Sequence, residues 1–352
     1  MIKKECFTAE WIEQVSSELH YNDKNLIEKV IRALSLLEML VKAGCPLVFK
    51  GGTALMLILG KSAHRLSIDI DLICPPGTNI EDYLKSFADF GFINLELVER
   101  KQRDDADIPK SHSKFFYQIA YRNDTDAQSY ILLDVLYEDI HYFRTQQIAI
   151  NCPFIRLEGK PLMVTVPSAE DILGDKLTAF APNTTGIPYY RNGRSCSMEI
   201  AKQLYDVGRL FENVSDLQIT KEAFRKIAVV ELSYRSFGTD IGQVFNDIRQ
   251  TALCISTRGK AGEGDFDLIQ DGIIRVKSFM YKQRYLIDHA IIDAARAAYL
   301  ATLIEKGINE IESYSNTPAD IKDMVIRPSL PNKLNKLRSN LPEAYYYWAK
   351  TS

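Results

Sequence analysis

Asp69 and Asp71 stand two residues apart in the run from His64 to Ile73, where Arg65, Ser67, Asp69 and Asp71 alternate with Leu66, Ile68, Ile70 and Leu72. On a β-strand that period sends the polar residues to one face and the apolar ones to the other. Two carboxylates so placed can share divalent cations, which take hard oxygen ligands and bridge to substrate phosphates. Upstream, Gly51-Gly52 separates the apolar run Pro46 to Lys50 from the apolar run Thr53 to Gly60. A strand, a tight turn and a helix in that order let the backbone approach a triphosphate and aim unsatisfied N–H groups and a positive dipole end at it. Thr53 is the expected N-cap of that helix and adds a hydroxyl. The Walker pattern does not follow Gly51, so this cradle is not a P-loop.

A third carboxylate, to complete a two-metal arrangement, is best supplied by Asp134, in the alternating run Tyr130 to Tyr137. Taken singly, each feature has an ordinary reading: a Gly-Gly-Thr turn punctuates many folds, Asp-x-Asp often lies on a solvated edge, and Asp134 could end a strand. It is their order that points to chemistry. Arg65 shares the carboxylate face and either pairs with Asp69 or touches a phosphate. The histidines, His20, His64, His112, His141 and His289, have no metal-ligand spacing, and His64 only flanks the site.

The elements that must position these residues follow from periodicity. Leu26, Ile27, Val30, Ala33, Leu34, Leu37 and Leu40 recur at helical spacing over Asp23 to Lys42, with Gly44 as terminator. The spacing predicts a helix over Ile80 to Phe90 and a strand over Phe92 to Glu99. It predicts a loop or flap over Arg100 to Lys114, and antiparallel strands Phe115 to Arg122 and Tyr130 to Tyr137 joined by Asn123 to Asp126. Beyond Pro167 the character is mainly helical: a helix from Ser168, its expected N-cap, to Phe180, then Met198 to Phe211, Thr239 to Ser256, Leu268 to Tyr281 and Ile287 to Lys306. Two lobes are expected, residues 1–165 and 166–352, with the boundary near Pro161 to Pro167.

At 352 residues and 46% hydrophobic content the chain can bury a substantial core. Its net charge of −3 argues against nucleic-acid binding by bulk electrostatics. The stretch with Lys322, Arg327, Lys333, Lys336 and Arg338 is the candidate basic patch, with a solvated helix face as the alternative. The cysteines, Cys6, Cys45, Cys74, Cys152, Cys196 and Cys254, are spread singly, which suits reduced thiols better than zinc or a redox dithiol. The charged start MIKKECFTAEWIEQ and the lack of a long apolar run give the expectation of a cytoplasmic protein with no membrane contact.

The blocks Lys50-Gly51-Gly52-Thr53-Ala54-Leu55 and Arg65-Leu66-Ser67-Ile68-Asp69-Ile70-Asp71-Leu72 together resemble the AbiEii/AbiGii toxin branch of the nucleotidyltransferase superfamily. Asp175-Lys176-Leu177-Thr178-Ala179 and Tyr205-Asp206-Val207-Gly208-Arg209-Leu210 resemble its second motif block. The resemblance implies an α+β fold: a polymerase β-like, mixed-sheet N-terminal lobe, with a C-terminal helical lobe closing the nucleotide cleft. It implies transfer of a nucleoside monophosphate from an NTP to an acceptor, with Mg²⁺ or Mn²⁺ held by Asp69 and Asp71, to which the strand reading above adds Asp134. Gly52 and Ser67 would lie by the triphosphate, beside the Gly51 and Thr53 of the turn read above, Lys176 would neutralise its charge, and Asp206 would orient Lys176 or the acceptor. The implied partners are an NTP, an RNA acceptor such as tRNA, and an antitoxin encoded nearby, as in toxin–antitoxin or phage-defence pairs. One departure is Lys202-Gln203, where the family often has Arg-Asp; lysine keeps the charge without the bidentate fork. The rival expectations are a binding module of the same fold without turnover, and a metal-dependent phosphohydrolase using the same carboxylates.

Overall fold

The computed structural model describes residues 1–98, 110–121, 127–214, 216–235 and 240–352. They divide into two compact units, one of Met1–Ser168 with Ser278–Arg284, the other of Ala169–Lys277 with Tyr285–Ser352.

In the first unit, α1 (Ala9–Glu18) precedes α2 (Lys24–Lys42), which starts where Asp23 caps the Leu26 N–H at 3.0 Å. Strand β1 (Val48–Lys50) leads directly into α3 (Gly51–Leu59), and β2 (Ile70–Cys74), β3 (Asn94–Val98), β4 (Lys110–Gln118) and β5 (Gln128–Tyr137) follow. The sheet order is β1-β2-β5-β4-β3, with β2 and β5 parallel and the other pairs antiparallel, so the sheet is mixed. Alternation decides which face is covered: Ile70 and Leu72 of β2, Phe115 and Tyr117 of β4, and Ile131, Leu133 and Val135 of β5 are buried in one cluster with Ile27, Ile31 and Leu34 of α2. The interleaved residues Asp71, Lys114, Leu132 and Asp134 are only partly buried, on the other face. A separate antiparallel pair, β6 (Thr145–Ala149) and β7 (Met163–Pro167), completes the sequence before Ser168.

The second unit holds α4 (Ala169–Ala179), the hairpin β8 (Tyr190–Arg191) and β9 (Arg194–Ser195), and the helices α5 (Ser197–Phe211), α6 (Leu217–Tyr234), α7 (Ile241–Ser256), α8 (Phe266–Val276), α9 (Ile287–Lys306), α10 (Leu337–Asn340) and α11 (Pro342–Thr351). α9 is alanine-rich and buried along most of its length, and α5, α7 and α11 pack on it. Asp293 of α9 is fully buried, taking hydrogen bonds from Arg209 at 3.3 Å, Arg296 at 3.4 Å and the Tyr285 hydroxyl at 3.0 Å. Burial pushes its carboxyl up, and the two guanidinium groups oppose that shift. The fold is α+β, with a mixed sheet and helices in the first unit and mainly helices in the second.

Several expectations are corrected. The regular strand of the Asp69/Asp71 run is only Ile70–Cys74. Arg65 instead bridges to Met280, and the Leu66 N–H donates to the Phe279 carbonyl at 2.8 Å. Ile80 to Phe90 is two 3-10 turns, Ile80–Tyr83 and Phe87–Phe90, not a helix. α8 stops at Val276, five residues before the expected end, because the chain turns back to the first unit. The β8–β9 hairpin interrupts a stretch read as helices. The flap expected over Arg100 to Lys114 lies outside the described residues up to 109, and Lys110 to Lys114 belong to β4; the turn Asn123 to Asp126 and the start of the helix at Thr239 also lie outside them. The six cysteines are free thiols, and no helix among the described residues is long and apolar enough to cross a membrane.

Candidate active site

Gly51 is where the local chain and the carboxylates meet. Its φ of +80° is the left-handed region that glycine occupies without steric cost, and it lets β1 turn straight into α3. A Cβ built on Gly51 would stand 2.0 Å from Oδ2 of Asp71, so the backbone lies directly against that carboxylate. At Gly52 a Cβ would stand 2.7 Å from the Ser67 hydroxyl and 3.0 Å from a guanidinium nitrogen of Arg65. The α3 N-terminus, Asp71, Ser67 and Arg65 therefore form one tight group. Arg65 is buried, and one of its nitrogens donates to the Leu66 carbonyl at 3.0 Å.

Thr53 does not cap α3. The helix begins two residues earlier, with Lys50 in the cap position and no side-chain cap bond, and the buried Thr53 hydroxyl donates to the Asp69 carbonyl at 2.7 Å. That bond ties the first turn of α3 to the residue just before β2. Asp69 itself stands outside the regular strand and is half-buried.

Register aligns the rest. Lys50 pairs with Asp71, Asp71 with Asp134, and Asp134 with His112, making one row across β1, β2, β5 and β4. Neighbouring strands are about 4.8 Å apart, and paired residues point to the same face. The carboxylates of Asp71 and Asp134 thus share a face on adjacent strands. The Asp134 side chain is 39% exposed, whereas His112 beside it is 11% exposed and donates through Nδ1 to Oδ1 of Asp134 at 2.5 Å. A carboxylate only accepts, so this bond fixes the imidazole proton on Nδ1. His112 was set aside by its sequence spacing, and only the pairing of β4 with β5 reveals it.

Lys29 of α2 is a second residue that the sequence did not single out. Burial holds its ammonium below the ordinary lysine range, while the charges of Asp69 and Asp23 pull it up. Its Nζ lies 5.5 Å from the centre of the Tyr130 ring. In sequence it looks like a solvated position between the apolar residues of α2.

Among the described residues no group of three or more His, Cys, Asp or Glu side chains is disposed to hold a metal ion. Asp71 and Asp134, in register, nevertheless suit Mg²⁺, which keeps several waters and takes one or two carboxylates plus substrate phosphates in place of a full protein cage. These carboxylates, with Asp69 beside them, are the residues that would hold such an ion.

In the second unit, Lys176 and Asp206 meet as the second motif block suggested. Lys176 Nζ lies 3.0 Å from Asp206 Oδ2, and their side chains are 9% and 2% exposed. Lys176 is therefore not a solvated surface lysine. Removing one partner of such a buried pair typically costs about 3–5 kcal/mol, because the other charge is left buried and uncompensated.

A comparison of the sequence with curated proteins finds no significant match. Among solved structures the chain is similar to JHP933 of Helicobacter pylori, with 17% identity and a TM-score of 0.42 over 80% of this chain and 94% of that one. It is also similar to the nucleotidyltransferase toxin MenT4 of Mycobacterium tuberculosis, with 12% identity and a TM-score of 0.47 over 84% of this chain and 89% of that one. The family model of the nucleotidyl transferase AbiEii toxin of type IV toxin–antitoxin systems matches residues 34–314, a span that holds the glycine turn, the carboxylate row and the buried lysine pair. This chain belongs to the AbiEii nucleotidyl transferase toxin family.

Proposed function

We propose that the first unit transfers a nucleoside monophosphate from an NTP to an acceptor, in a reaction that depends on a divalent cation, Mg²⁺ or Mn²⁺. The observation that supports this best is the packing of the Gly51 backbone against Asp71 with Asp134 in register beside it. A backbone turn for phosphate and hard-oxygen ligands for a cation, close together, are what such a transfer requires.

In this reading, the N–H groups at the start of α3, with Ser67 and Arg65, hold the triphosphate. Asp69, Asp71 and Asp134 would hold the cation, which would supply charge neutralisation for the developing pyrophosphate and lower the pKa of the acceptor hydroxyl. The acceptor oxygen bonds to the α-phosphorus as the bond from that phosphorus to the bridging oxygen of the β-phosphate breaks. Asp134, oriented by His112, stands to take the hydroxyl proton. Lys176, positioned by Asp206, is assigned to neutralising phosphate charge. The proposed acceptor is RNA, tRNA in particular. The proposed partner is an antitoxin encoded nearby, and phage defence is the setting such pairs serve.

Incubation with α-labelled or γ-labelled NTPs, a divalent cation and total RNA tests the reaction class. Transfer predicts α-label in RNA, with the γ-label leaving as pyrophosphate. Loss of γ-phosphate with no labelled acceptor would support a phosphohydrolase, and NTP binding without turnover would support the binding module.

A further inference from the structure

In the second unit, β8 and β9 form a hairpin turned by Asn192-Gly193. Both turn residues have positive φ, 51° and 74°, the type I′ geometry that Asn-Gly favours. Register sets Arg191 directly opposite Arg194, so the two side chains leave the same face of the ribbon about 5 Å apart at their bases. Both are exposed, and neither guanidinium has an ion-pair or hydrogen-bond partner among the described residues. Like charges opposed on a two-stranded ribbon destabilise it, and a bridging anion reverses the sign of that effect.

The two arginines border a concavity of about 550 Å³ that Asn192, Ser195, Cys196 and Glu199 also line. Oε2 of Glu199 is buried with no hydrogen-bond partner, and a buried carboxylate oxygen calls for a donor. The concavity therefore offers two fork-shaped cations for an anion, and Glu199, which lines it, keeps one carboxylate oxygen without a donor until its side chain turns toward a ligand. A phosphate flanked by a sugar hydroxyl satisfies both demands, and the 2′-hydroxyl is the donor that RNA has and DNA lacks. Tyr190, 56% exposed on the opposite face of the ribbon, adds a ring on which a base can stack. The basic stretch near the C-terminus is less available: Arg338 donates to the Ile321 and Lys322 carbonyls, and Lys333 to the Lys260 carbonyl.

We propose that the 190–195 hairpin is a ribose-phosphate subsite for single-stranded RNA, with Arg191 and Arg194 on a phosphate and Glu199 accepting a 2′-hydroxyl. The inference rests on the nucleotidyltransferase reading for its role, that of holding an acceptor strand, but the contact is testable without turnover.

The experiment is fluorescence anisotropy of the full chain with a labelled short single-stranded RNA and the same sequence as DNA, without NTP, over a series of salt concentrations. Arg191→Ala and Arg194→Ala should each weaken RNA binding about ten-fold and reduce the log–log salt slope by about 0.7. Their melting temperatures should match or exceed that of the wild type, since a repulsion is removed. Glu199→Ala should lower the preference for RNA over DNA. Unchanged affinity and slope in both arginine variants would overturn the proposal, as would RNA binding displaced by an acidic peptide but insensitive to either arginine. Arginine-dependent RNA binding by a wild-type chain that shows no nucleotide transfer would leave this subsite standing while the reaction falls.

Discussion

Asp134 and His112 show how one carboxylate on an open sheet face acquires a fixed orientation. The carboxylate is open enough to meet a substrate, and the imidazole that holds it is nearly covered. His112→Ala should leave the fold intact, because it removes a side chain beside a half-exposed neighbour. It should lower nucleotide transfer about ten- to a hundred-fold, the usual cost of losing a group that orients a metal ligand. Label transfer at saturating NTP checks this, and full activity would reduce His112 to packing. Asp71 and Asp134 stand out in the sequence because alternation marks polar residues on otherwise apolar strands, whereas Asp69, in the same run, lies just outside the regular strand. His112 and Lys29 do not: one depends on the register between two strands, the other on which face of α2 lies near Asp69, and neither is a local property of the chain.

At the scale of the element, the strand–turn–helix of β1 and α3 was readable because Gly51-Gly52 breaks two apolar runs. What the sequence could not show is why the first glycine matters beyond its φ. Gly51→Ala combines a left-handed backbone strain of about 1 kcal/mol with a Cβ 2.0 Å from Asp71, so it should displace that carboxylate and abolish transfer. Gly44→Ala carries similar strain at φ +75°, but its Cβ would meet nothing within 4 Å. It should lower stability by about 1 kcal/mol and leave activity unchanged. Denaturant midpoints and label transfer for the two variants separate strain from contact; equal activities would mean that the approach of Gly51 to Asp71 has no role. The helix expected over Ile80 to Phe90 failed for a local reason, since Gly91 at φ +80° and two short 3-10 turns close that segment within a few residues.

Over the whole molecule, the first unit is not contiguous in sequence. Tyr281, read from the sequence as the end of a helix, is buried in the core of the first unit, where its hydroxyl donates to the Ala63 carbonyl and its ring meets Phe154 edge-on at 5.2 Å. Periodicity reports which residues are apolar, not which of two cores they enter, so this return was invisible. Tyr281→Ala should destabilise the first unit by about 3–5 kcal/mol, seen as faster hydrogen exchange at amides around Ala63 and Phe154. Unchanged exchange there would remove the segment from that core. The proposed transfer depends on one group of residues, the Gly51 backbone with Asp71 and Asp134. Its most direct test is the transfer of α-label from each NTP to RNA in Mg²⁺ by wild type and by folded Asp71→Ala. Label is expected with the wild type and none with the variant; equal labelling by both would contradict the assignment.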